Sequence, residues 1–150
     1  MPSQRLLRRG RYSQINGIYH ITSTTVNRHP TFTDHRLAMT ACRCFTNPAL
    51  NKTSELLCWV LMPDHVHWLL KLGEGDSVSA WVQRMKAVSA REVNRVRGEQ
   101  SALWQPAFFD RALRQEDDLL TMARYIVANP LRAGLVRRVG DYPYWNAVWI

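Results

Sequence analysis

Cysteine is scarce in this chain: Cys42, Cys44 and Cys58 are the only three in 150 residues. An odd count offers no disulfide framework, and the four-cysteine spacing of a zinc site is absent. Cys42 and Cys44, two apart on a helix, would point to well-separated faces. Reduced thiols fit a reducing cytoplasm. No apolar run reaches the roughly 20 residues that cross a bilayer. The arginines near the N-terminus are not followed by the apolar segment of a secretory signal. A cytoplasmic protein with no membrane partner is therefore expected. Repeats, low-complexity stretches and linkers are missing as well, so the chain reads as one domain over residues 16–150 behind a basic arm over 1–15.

Lysine is nearly absent too. Only Lys52, Lys71 and Lys86 contribute to the twenty basic residues, which face twelve acidic ones for a net charge of +8. A guanidinium fork suits phosphate better than an ammonium point charge does. Nucleic acid is the partner that follows best, ahead of an anionic membrane surface, although some proteins are basic without consequence. The arm holds Arg5, Arg8, Arg9 and Arg11. It reads equally as a solvated tail or as a strap along a phosphate backbone.

What the chain does have is a histidine pair in an apolar run, Leu61-Met62-Pro63-Asp64-His65-Val66-His67-Trp68-Leu69-Leu70. On a strand, residues two apart share a face about 7 Å from each other. His65 and His67 then aim two imidazoles at one point, while Val66 and Trp68 turn away. Such a pair can clip a divalent metal, or it can be two half-buried, hydrogen-bonded histidines.

The surrounding pattern predicts strands over 18–26, 55–62, 65–72 and 107–113. Pro63-Asp64 makes the turn between the middle two. Helices are expected from Thr33 or Asp34 to the late forties, over about 78–97, and from Glu116 to about Ala128, with a short helical turn over 131–136. The tail after Asp141 reads as aromatic and irregular. The order strand, helix, strand, strand, helix, strand, helix is that of an α+β, ferredoxin-like (RRM-like) sandwich. It has an antiparallel four- to five-stranded sheet with helices on one face, plus a further helix near the C-terminus. On the second main helix Arg84, Arg91 and Arg95 form a stripe, with Lys86 and Arg97 nearby, largely of one sign.

The last main helix carries Tyr125 and Asn129 four apart, on a face different from its apolar stripe. Two imidazoles are an incomplete site for a hard cation, and an amide oxygen is a reasonable third ligand for magnesium or manganese. The plainer reading of Tyr125 is a core-packed tyrosine with its hydroxyl at the surface.

These residues resemble the IS200-like, single-tyrosine (Y1) family of HUH transposases, and within it the branch associated with repetitive extragenic palindromes. The likeness runs from about Asn16 to Trp145. Tyr19-His20-Ile21-Thr22 resembles the family's opening strand. Met62-Pro63-Asp64-His65-Val66-His67 matches its histidine motif, and Trp104-Gln105 and Phe109-Asp110-Arg111 its segment before the tyrosine helix. The most specific match is Tyr125-Ile126-Val127-Ala128-Asn129-Pro130-Leu131-Arg132-Ala133-Gly134-Leu135-Val136. Asn129 stands where the insertion-sequence members typically carry glutamine, as in the palindrome-associated branch.

The resemblance implies His65, His67 and Asn129 as ligands of Mg²⁺ or Mn²⁺ and Tyr125 as nucleophile on a DNA phosphate. It implies a nucleoid-associated enzyme that cuts and rejoins single-stranded DNA beside a palindromic hairpin through a 5′-phosphotyrosine. It also implies a monomer, although insertion-sequence relatives pair as dimers that exchange the tyrosine helix. Lys86, Arg91, Arg95 and Arg132 join the arm's arginines as expected phosphate contacts. Two other readings stand beside this one. The same fold could be a catalytically silent hairpin-binding protein. It could also be a two-histidine phosphoesterase, for which His20-Ile21-Thr22 supplies one His-x-Thr motif and His65-Val66-His67 departs from the second.

Overall fold

The computed structural model describes residues 16–114 and 116–149. Arg5, Arg8, Arg9 and Arg11, with the rest of the arm, lie outside the described residues. Five antiparallel strands form one sheet: β1 (Ile18–Thr24), β2 (Glu55–Leu61), β3 (His65–Lys71), β4 (Phe109–Leu113) and β5 (Trp145–Ala147), in the order β4-β1-β3-β2-β5. The helices are α1 (His35–Phe45), a single turn α2 (Pro48–Asn51), α3 (Val78–Arg97), α4 (Glu116–Val127) and a second single turn α5 (Asn129–Arg132). The expected sandwich is the one observed.

Local chemistry explains most boundaries. Asp34 caps α1 by accepting from the Arg36 amide at 2.9 Å, and Ser77 caps α3 by accepting from Ala80 at 3.1 Å. α3 stops where Gly98 takes the left-handed conformation, φ 68°. Asn47-Pro48 ends α1 as expected but also opens α2, with the Asn47 side chain accepting from Ala49. After β3 the chain passes so close to β2's start that a Cβ on Gly73 would meet the Thr53 carbonyl oxygen at 2.0 Å, so only glycine fits.

Alternation along the strands builds two cores. Tyr19, Ile21, Trp59, Leu61, Val66, Trp68 and Leu70 face α1 and α3, where they meet Phe45, Trp81, Val82 and Met85. Leu57, Cys58, Val60 and Leu69 face the other way and are covered by Ala123 and Ile126 of α4, together with Tyr142 and Ala147. The helices are thus not confined to one face: α1 and α3 share one, and α4 crosses the other.

Three expectations are corrected. The tail is not irregular, because β5 pairs with β2. Tyr144 accepts from the Leu61 amide at 2.8 Å and the Tyr142 hydroxyl donates to the Leu61 carbonyl, so an exposed edge is closed by aromatic residues with satisfied polar ends. The turn expected over 131–136 is instead α5, which begins at Asn129. Pro130 suits a helix start, where its missing N–H costs nothing. β4 begins at Phe109 rather than 107.

Candidate active site

β3 turns His65 and His67 to the α4 side because Val66, Trp68 and Leu70 belong to the opposite core. The register β1–β3 then sets Thr24 opposite His65, Thr22 opposite His67 and His20 opposite Leu69. β1 alternates in the same way, so His20, Thr22 and Thr24 share that face. β4 continues the rows outward, with Phe109 opposite Thr22 and Arg111 opposite His20. The histidine pair therefore sits in the middle of a sheet face, not at an isolated hairpin tip.

Each imidazole of the pair is held by a different partner. The Nδ1 of His65 donates to the Asp64 carboxylate at 2.7 Å. Asp64 also takes the Arg28 guanidinium at 3.1 Å, and its backbone carbonyl accepts from the Thr25 amide at 2.9 Å. Burial works to raise the Asp64 carboxyl, but the His65 ring and the Arg28 charge hold it below the usual range. The Nδ1 of His67 lies 2.9 Å from His20 Nε2 and 3.1 Å from Thr22 Oγ1. His67 is only 8% exposed. Its burial, then the neighbouring His20, His65 and Arg132, push its pKa down to about 3. Burial and then Arg111 push His20 down to about 4. Both rings are neutral at physiological pH.

The two rings of the pair stand at 87° with centroids 5.0 Å apart. Among the described residues, Nε2 of His65 and Nε2 of His67 have no hydrogen-bond partner. Neutral imidazoles with free Nε2 atoms suit a divalent metal. No group of three or more histidine, cysteine or carboxylate side chains among the described residues could hold an ion by itself. A metal here needs oxygen from elsewhere. Asn129 is the candidate donor: its Nδ2 donates back to the Ile126 carbonyl at 3.2 Å, and its Oδ1 accepts from no described residue. Two imidazoles and an amide oxygen leave positions for water and phosphate oxygens, so the donor set fits Mg²⁺ or Mn²⁺.

α4 brings Tyr125 over this row. Ala123 and Ile126 anchor the helix in the second core, which leaves Tyr125 48% exposed. Its ring lies edge-on to His20 and His67, with centroids 6.5 and 6.4 Å away. Arg132 packs its guanidinium over the Tyr125 ring at 3.9 Å and donates to the Tyr125 carbonyl at 2.7 Å. The nucleophile candidate, His67, His20 and a cation thus meet from elements far apart in sequence.

Of the other basic candidates, Lys86, Arg91 and Arg95 sit on α3, against the opposite face. The Lys86 ammonium donates to the Gln105 and Ala107 carbonyls at 2.8 and 3.0 Å, and Arg91 and Arg95 pair with Glu92. Arg84 is bound to Asp76 at 2.7 Å. Among the described basic candidates, only Arg132 comes to the tyrosine. Sequence reasoning noted His20 and Thr22 only as a His-x-Thr motif and Asp64 only as a turn residue, not as partners of the histidine pair. The alternation of β1 placed His20 and Thr22 on one face, but only strand register brings that face to His67.

Comparison with known proteins places the chain among transposases. The family described as "Transposase IS200 like" matches residues 13–129, a span that includes the histidine pair, Tyr125 and Asn129. A REP-associated tyrosine transposase from Escherichia coli (strain K12) is 33% identical over 92 residues, covering 60% of this chain and 52% of that protein. The chain spans about half the length of the curated relatives it matches. A solved REP-associated tyrosine transposase bound to a REP hairpin is 26% identical, with a TM-score of 0.70 over 90% of this chain and 79% of that one. A solved structure from Deinococcus radiodurans, 24% identical with a TM-score of 0.56 over 78% of this chain and 93% of that one, shares the fold.

Proposed function

We propose, from the premise that the chain belongs to the IS200-like transposase family, that it cuts and rejoins single-stranded DNA beside a palindromic hairpin, with Tyr125 as nucleophile. The observation that carries the reading is the position of Tyr125, at 6.4 Å from His67 and more than fifty residues from it in sequence.

A phenol is a weak nucleophile at neutral pH, since its pKa is about 10. His65, His67 and Asn129 would hold Mg²⁺ or Mn²⁺, which polarises and orients the scissile phosphate. The Tyr125 oxygen attacks phosphorus and loses its proton to solvent. The new bond is a 5′-phosphotyrosine; the bond to the 3′ oxygen breaks, and that oxygen takes up a proton. Bond energy is kept in the ester, so another 3′-hydroxyl can reverse the step with no ATP. Arg132 packs on the Tyr125 ring and puts a positive charge beside the nucleophile, where it would favour a phosphate.

The hairpin partner is supported by the solved relative bound to a REP hairpin and by the net charge of +8. Phe109, 58% exposed on edge strand β4, offers an open ring on the site face to an unpaired base, with Arg111 beside it. Tyr125 and the histidines of one chain already meet, so a monomer acting on its own site is sufficient. His20 Nε2 is engaged with His67, which leaves it unsuited to the separate acid–base role that a two-histidine phosphoesterase requires.

The test is a labelled hairpin with single-stranded flanks and Mn²⁺, resolved on a denaturing gel with and without protease. A protease-sensitive adduct that Tyr125→Phe abolishes, while hairpin binding survives, is expected. Cleavage that persists in Tyr125→Phe would defeat the proposal. Binding without adduct or cleavage would assign the chain to silent hairpin binding instead.

A further inference from the structure

His20 is a third histidine on the site face that neither the metal nor the nucleophile uses directly. Its ring meets that of His67 end to end and near-coplanar, with centroids 5.1 Å apart, an interplanar angle of 27° and its Nε2 2.9 Å from His67 Nδ1. A neutral imidazole carries one proton. For His67 to offer a lone pair at Nε2, that proton must sit on Nδ1 and must find an acceptor there. The acceptors present are His20 Nε2 and, at 3.1 Å, the Thr22 hydroxyl. No carboxylate or backbone carbonyl hydrogen-bonds this nitrogen among the described residues, whereas His65 has the Asp64 carboxylate.

We infer that His20 is a positioning residue: through the Nε2···H–Nδ1 bond it fixes the His67 tautomer and ring plane so that Nε2 of His67 is always presented as a ligand. This rests on the reading of His67 as a metal ligand. His20 itself is then the Nδ1–H tautomer, with its Nε2 lone pair spent. The pair is asymmetric. His65 is oriented by an anion at a turn, and His67 by a neutral ring inside the sheet. Thr22 is the weaker second acceptor, longer and able to rotate away.

The assignment is tested first in metal-free protein, by two-bond ¹H–¹⁵N spectra of the uniformly labelled full chain at neutral pH. The expected spectrum has His67 protonated on Nδ1 with an unprotonated Nε2. A His67 proton on Nε2 overturns the inference. Mn²⁺ titration then follows the metal alone, read by the loss of its free paramagnetic signal. His20→Phe keeps an aromatic ring on the strand but removes the acceptor, and should weaken Mn²⁺ binding by about 10–100-fold. His20→Gln returns an acceptor near the same place and should recover most of it, while Thr22→Val should cost less than His20→Phe. A Mn²⁺ affinity in His20→Phe within twofold of the parent, or a Gln variant no better than the Phe variant, overturns the inference. If His20→Phe does not fold, the spectrum of the unchanged chain decides alone. A parent protein that shows the Nδ1–H tautomer yet binds no Mn²⁺ defeats the metal reading under Proposed function while leaving the pinned tautomer standing.

Discussion

The two faces of the sheet use the same backbone for opposite ends. On the α1–α3 face, Trp68 lies edge-to-face against Trp81 at 5.1 Å and against Phe45 at 5.4 Å, all fully buried. The core there is nearly all hydrocarbon. On the α4 face, the centre of the sheet carries His20, Thr22 and His67 instead of large apolar groups, and Tyr125 above them stays half exposed. A sandwich gains stability from apolar area, at about 25 cal/mol per Å². Buried imidazoles forgo that gain and must be hydrogen-bonded merely to break even. The first face secures the fold and the second carries the candidate site, on strands that the first makes rigid.

Substitutions that separate activity from stability should show the division most sharply. Tyr125→Phe removes only an exposed hydroxyl. Adduct formation should fall below detection while the melting temperature stays within about a degree of the parent. A large loss of stability would mean that the tyrosine also holds the second face together. The mirror experiment is Phe45→Ala, which empties a fully buried site between Trp59 and Trp68. It should cost about 3–5 kcal/mol of unfolding free energy, and at low temperature the folded fraction should still form adduct. Chemical denaturation measures the first, and the gel assay the second.

Acid should act through the second face. His20 and His67 are held down to about 4 and about 3, below the ordinary histidine value of about 6.5. Between those values the unfolded chain binds more protons than the folded one, so stability rises with pH across the window and is lost as pH falls from about 6.5 towards 4. Melting temperatures of the metal-free protein should decline over that range, and less steeply in a His20→Gln, His67→Gln double variant. A flat profile in the parent would show that the rings are not desolvated as placed. The smallest effect belongs to the rim. Phe109→Ala should weaken binding of a hairpin with unpaired flanks by about tenfold, the loss of one base stack, with no change in melting temperature. Anisotropy titrations check this, and unchanged binding would remove Phe109 from the DNA surface.

Most of the architecture was legible before any coordinates. Period-two alternation around His65 and His67, the Asp34 cap and the Asn47-Pro48 break all act over a few residues, and local forces settle them. The placement of the last helix was less legible. An apolar stripe such as Leu119, Met122, Ala123 and Ile126 says that a helix packs on something, not on which side of a sheet. β5 was missed because Trp145–Ala147 is short and has meaning only as a partner for the edge of β2. Within the basic stripe of α3, spacing did not show that Arg84 pairs with Asp76, a residue eight positions earlier whose carboxylate also takes the Ser54 hydroxyl.

The sequence alone determined which groups are candidates for the site, since the His-x-His pair, the tyrosine and the asparagine are a matter of residue type and spacing. It also determined that His65 and His67 would share a face, because strand geometry allows nothing else. Only the tertiary structure decided what stands around them. Antiparallel register, a long-range choice made by two packed cores, set Thr22 opposite His67 and His20 within 2.9 Å of its ring. α4, crossing the face opposite α1 and α3, then hung Tyr125 over the same row. Those juxtapositions come from burial of surface far away in the chain, and no local pattern encodes them.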